Sequence, residues 1–139
     1  MSPLEIISGP DGPLAYIVNG RWKPESTQFL TPDDFGQQMG MIVYAKGETI
    51  VPHVHLPVTR TVEGTTECVT VRSGHCEIDL FDRHKTYITT RTLNEGDIVL
   101  LLGGGHGFRM LEDTVLFEVK QGPYVGNADK ERFDPEATR

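Results

Sequence analysis

The stretch Glu67-Cys68-Val69-Thr70-Val71-Arg72-Ser73-Gly74-His75-Cys76-Glu77-Ile78-Asp79-Leu80-Phe81 decides the fold class. Two alternating, β-branched runs flank a Ser73-Gly74 turn signal, the pattern of two strands joined by a hairpin. Successive side chains of a strand face opposite ways, so Glu67, Val69 and Val71 share one face and Cys68 takes the other. Glu67 therefore ends an apolar row with a carboxylate, whose burial is costly unless a cation or a donor meets it.

Similar runs recur outward from this hairpin: Ala15 to Val18, Met39 to Ala45, Thr49 to His55, Thr86 to Leu93, Asp97 to Leu102, Gly107 to Leu111 and Thr114 to Lys120. Short strands at this spacing predict an all-β sandwich or barrel. Composition agrees, with 34 Val, Ile and Thr residues against 15 Ala and Leu, and 15 Gly and 9 Pro to make turns. No segment carries a persuasive helical period; one turn starting at Thr31 to Asp34 and a short terminal helix over Asn127 to Phe133 are the helical expectations. The 139 residues hold no repeat or low-complexity linker. They read as one domain, with N-terminal strands or an arm over 1–38, a barrel core over 39–120 and a tail over 121–139.

A formal charge of -7 with no basic cluster argues against sequence-independent nucleic-acid binding, which draws its affinity from Lys and Arg on phosphates. Residues Met1 to Gly12 lack the positive start and apolar stretch of a signal peptide, and no apolar run approaches the ~18 residues of a membrane span. No membrane association and a cytoplasmic location are expected. Cys68 and Cys76 flank the hairpin turn and read as buried, reduced thiols.

The five histidines are the most informative residues. In an extended chain His53 and His55 point to the same side, about 6.6–7 Å apart, so both imidazoles can converge on one ion; packed or surface histidines are the alternative. His106 follows the run Asp97 to Leu102 and the turn Gly103-Gly104-Gly105, whose simplest use is to aim it, and it shares a face with Phe108 and Met110. His75 and His84 lie at turn signals and read as solvated.

These residues resemble the cupin family. Its first motif, G-x5-H-x-H-x(3,4)-E-x6-G, is matched by Gly47, His53, His55, Glu67 and Gly74, except that eleven residues, Leu56 to Thr66, stand between His55 and Glu67. The second motif is looser: Gly96 to Leu101 fits, Leu102 replaces Pro, the glycine turn before His106 is one residue shorter, and Met110 stands where Asn is usual. The resemblance covers about Met39 to Lys120, and stretches such as Glu118 to Tyr124 also look like those in small bacterial cupins of unassigned role.

The resemblance implies a conical double-stranded β-helix, or jelly-roll barrel, with a divalent ion (Fe, Mn, Ni, Zn or Cu) held by His53, His55, Glu67 and His106. Glu63 is the rival carboxylate, but ten residues separate it from Gly74 where the motif has six. Three imidazoles and one carboxylate leave open positions for water or substrate, so dioxygenase-like or isomerase-like chemistry on a small oxygenated metabolite is expected. A non-catalytic metal- or ligand-binding module is the alternative, and the chain offers no obvious proton-transfer pair to decide between them. Arg60, Tyr44, Phe108 and Glu118 are candidate substrate contacts. The resemblance further implies a homodimer, with Leu4 to Val18 adding to a neighbour's sheet.

Overall fold

The computed structural model describes residues 2–138, and the chain divides into two compact units, residues 1–22 with 64–139, and residues 23–63. The first unit is built of two antiparallel sheets. Strands β1 (Leu4–Gly9), β2 (Gly12–Val18), β5 (Glu67–Ser73), β8 (Ile98–Leu101) and β10 (Val115–Lys120) form one sheet in the order β1-β2-β8-β5-β10. Strands β6 (His75–Phe81), β7 (Tyr87–Asn94) and β9 (Gly105–Met110) form the other, in the order β7-β6-β9.

Alternation explains why the two sheets face one another. Ile7, Ala15, Val69, Val71, Val99 and Leu101 from the larger sheet meet Cys76, Ile78, Leu80 and Leu93 from the smaller in one buried cluster. Removing each such large side chain from water is worth about 1.5–3 kcal/mol. The opposite face of the smaller sheet is polar: Asp79 accepts hydrogen bonds from Thr90 and Arg109, and Arg109 also pairs with Glu77.

The two long flanks of this sandwich differ. On one, Arg91 of β7 donates from Nε and Nη2 to both carboxylate oxygens of Glu5 on β1, at 2.9–3.1 Å. On the other, β9 and β10 are free sheet edges joined by the turn after Met110.

The second unit is a short hairpin with a long extension. Strand β3 (Gln28–Phe29) pairs with β4 (Gly40–Met41), and Gln38 braces the loop between them by donating to the Pro32 and Phe35 carbonyls and accepting from Thr31 Oγ1, each at 2.9 Å. Glu48 closes the following turn by accepting from the Ala45 amide at 2.7 Å.

Several sequence expectations are corrected here. The run Met39 to Ala45 contributes only the two residues of β4, and Thr49 to His55 forms no strand. Their β-branched content favours an extended chain, but Pro52 and Pro57 lack the amide that a ladder needs. Asn127 to Phe133 forms turns instead of a helix, and the helical element near the C-terminus is a 3₁₀ turn at Pro135–Thr138. Within Leu4 to Val18, β2 is interior, paired with β1 and β8, and β1 forms one edge of the larger sheet.

Among the described residues no helix is long and apolar enough to cross a membrane.

Candidate functional site

Glu67 opens β5 and His106 is the second residue of β9, so they approach from facing sheets at the same end of the sandwich. Glu67 Oε2 lies 3.5 Å from His106 Nε2. Local structure sets both positions. Alternation turns Glu67 to the core side with Val69 and Val71, while His106 pairs across β6 with Leu80 on the core side of the smaller sheet. Gly104, just before β9, has φ +67°, and a Cβ there would stand 2.2 Å from the Phe81 carbonyl oxygen. Only glycine fits this corner. Phe108, half-buried against the core, meets the His106 ring edge-on with centroids 6.1 Å apart.

The Glu67 side chain is only 13% exposed and that of His106 30%. Burial, with a hydrogen bond to Glu118 and the charge of that residue, raises the Glu67 pKa to about 7, against the opposing pull of Lys120 and Lys130. Burial also lowers the pKa of His106, assisted by Lys130 and opposed by Glu118. Both groups are thus biased toward their neutral forms, which presents a bare imidazole nitrogen and a carboxyl group with a labile proton. Glu118 is held in turn by Lys120, whose Nζ is 3.7 Å away. Gln121 fixes the entry to β5 by accepting from the Thr66 amide and donating to Thr66 Oγ1 at 2.6 Å.

In the second unit His53 and His55 stack edge-to-face, with centroids 5.2 Å apart, on an exposed stretch of chain. His53 Nδ1 is 2.8 Å from the Val51 carbonyl oxygen. A carbonyl can only accept, so Nδ1 is the donor of this contact, and Nε2 lies outside it. Tyr44, Arg60 and Glu63 of this unit are exposed. Among the described residues no group of three or more His, Cys, Asp or Glu side chains stands gathered at metal-binding spacing; the assembled pair is Glu67 with His106.

Two atoms each about 2.1 Å from a shared ion would lie roughly 3.0–3.5 Å apart, and Glu67 Oε2 and His106 Nε2 stand 3.5 Å apart.

Other polar sites sit elsewhere. His75 opens β6, not a turn, and its Nδ1 is 3.3 Å from Glu112 Oε1. It lines an open cleft of about 520 Å³ with Asn19, Arg21, Asn94, Asp97 and Glu112, at the end of β5 remote from Glu67. His84 is exposed in the β6–β7 loop. Cys68 and Cys76 are free thiols, the first half-buried and the second fully buried, and burial raises the pKa of both. Thiols in that state are poor ligands and nucleophiles.

Lys130 and Gln121 act on the Glu67 environment from more than fifty residues away, with no local pattern to mark them. Comparison with protein-family models, curated proteins and solved structures finds no match to this chain.

Proposed function

We propose that this protein is a cupin-type, metal-dependent barrel acting on a small oxygenated metabolite, with His53, His55, Glu67 and His106 as ligands of one divalent ion. The observation that carries this reading is the largely desolvated Glu67–His106 pair, a carboxyl oxygen and an imidazole nitrogen 3.5 Å apart on facing strands. The contact of His53 Nδ1 with the Val51 carbonyl, which leaves Nε2 outside it, also supports the reading.

A divalent ion held there supplies Lewis acidity, or dioxygen activation if it is iron. The chain's own residues do the rest. Glu67 would have to lose its proton to hold such an ion, and Glu118, hydrogen-bonded to it and exposed, is the neighbour placed to relay that proton to solvent. Phe108 excludes water from one side of His106 and orients its ring. Lys120 keeps the Glu118 carboxylate at the rim, where an oxygenated substrate would meet both charges.

A second reading, a non-catalytic metal- or ligand-binding module, is favoured by the observation that, among the described residues, the acid–base partner that Glu67 shows is another carboxyl group, Glu118. Metal analysis of chelator-free protein tests the site. Oxygen uptake by the iron-loaded protein on a panel of diketones, catechols and thiols, beside isomerisation assays with Zn or Mn, separates the two readings. Absence of turnover with every metal leaves the binding module.

A further inference from the structure

The chain from Asp129 to Phe133 is anchored to both sheets at the end of the sandwich where Glu67 and His106 meet. Asp129 is held beside β5 of the larger sheet, its Oδ2 accepting from Thr65 Oγ1 at 3.0 Å, two residues before Glu67. Phe133 is held on the smaller sheet. Its ring meets Phe81 edge-on with centroids 5.0 Å apart, and a Cβ at Gly105, the residue before His106, would stand 3.0 Å from its Cζ. Lys85 in the β6–β7 loop reinforces that end by pairing with Glu131 and lying 5.9 Å from the centre of the Phe133 ring.

Four residue steps reach at most about 13–14 Å, and packed sheets lie about 10 Å apart, so this segment bridges the two sheets with little slack. Its anchors are side chains. The Lys130 amide bonds within the segment, to the Asn127 carbonyl at 3.1 Å, so the bridge can lift without breaking a sheet ladder.

Lys130 lies between the anchors, and its charge acts on Glu67 and on His106, drawing the pKa of each down. Lys85, Arg91, Arg109 and Lys120 each hold a carboxylate, whereas among the described residues Lys130 has no ion pair. In a chain of formal charge -7, an unpaired ammonium beside this site is a local exception that attracts anions.

We propose that residues 129–133 form a strap closing over the Glu67–His106 site, and that Lys130 on it binds the anionic group of the ligand, so that the site takes small carboxylates in preference to their uncharged analogues. This rests on the reading of Glu67 and His106 as the functional pair and adds the class of molecule they meet. A monoanion matches the charge available: Glu118 and Lys120 compensate one another, which leaves one ammonium, and a phosphate dianion would keep a negative charge uncompensated near Glu118.

The test uses the full chain, zinc-loaded and metal-free, with zinc counted by elemental analysis on every sample. Calorimetric titrations compare acetate, lactate and pyruvate with their amides, and with inorganic phosphate. At least one carboxylate is expected to bind tenfold or more tightly than its amide. Lys130→Gln is expected to lose about tenfold or more of that affinity, and Lys130→Arg to keep most of it. Bound carboxylate is expected to slow amide hydrogen exchange over residues 129–133, and Phe133→Ala, which frees one anchor, to speed it. Circular dichroism confirms that each variant is folded.

Equal binding of acids and amides, undiminished carboxylate binding by Lys130→Gln, or phosphate bound more tightly than every carboxylate overturns the proposal. Exchange as slow in Phe133→Ala as in the wild type overturns the strap. Wild type that takes up no zinc, or His106→Ala that keeps it, defeats the ligand set instead; a carboxylate preference that depends on Lys130 in the metal-free protein upholds the present inference even then.

Discussion

Glu67 Oε2 and His106 Nε2 stand 3.5 Å apart although 39 positions separate the two residues in the chain and their strands belong to different sheets. This contact ties the sandwich to its proposed chemistry, and most of the expected outcomes follow from it.

Replacing His53 or His106 by Ala is expected to remove stoichiometric metal from protein purified without a chelating column, while His84→Ala leaves the content unchanged. Elemental analysis reads all three. Unchanged metal in His106→Ala, or loss in His84→Ala, would mean that the wrong histidines have been chosen.

Metal affinity is expected to climb with pH through about 7, because the ion must displace the proton that burial and Glu118 retain on Glu67. Zinc titrations at pH 6 and pH 8 check this. A pH-independent constant would count against Glu67 as a ligand.

The same group sets a slope in folding stability. The raised pKa means that the native state keeps a proton the unfolded chain has lost between about 4.5 and about 7. The Glu67 contribution is therefore fully present below pH 4.5 and disappears as pH rises through 7. His106, with a lowered pKa, works in the opposite direction around its ordinary value. Urea denaturation of metal-free His106→Gln, with and without Glu67→Gln, isolates the first effect, since neither protein then carries a titrating group at position 106. The protein that keeps Glu67 is expected to lose stability relative to the one with Glu67→Gln from pH 4.5 to pH 7, and parallel curves would refute it.

Gly104→Ala is expected to cost about 1–3 kcal/mol, because the new Cβ meets the Phe81 carbonyl oxygen at a left-handed corner. Ile78→Ala, in the middle of the core, is expected to cost about 2–5 kcal/mol without altering metal content. Chemical denaturation measures both. Loss of zinc from folded Gly104→Ala, but not from folded Ile78→Ala, would show that the corner aims His106.

Much of the sandwich was legible in the sequence because its faces alternate cleanly. The runs through Val69, Val71, Ile78 and Leu80 become strands with those side chains inward, and the inward turn of Glu67 follows from the same parity. The failures have physical causes. Thr49 to His55 has the composition of a strand, yet a strand exists only when a neighbour completes its hydrogen bonds, and composition does not report neighbours. The choice of Glu67 over Glu63 rested on spacing; the structure adds that Glu63 is exposed while Glu67 faces the core side. The influence of Lys130 and Gln121 on Glu67 was illegible because it arises from chain closure across more than fifty residues.

The forked grip of Arg91 on Glu5 gives the sandwich a spine, like the bound side of a book. It ties the β1 margin of one sheet to the β7 margin of the other through side chains alone, so Arg91→Ala is expected to part those two margins while the ladders inside each sheet stay intact.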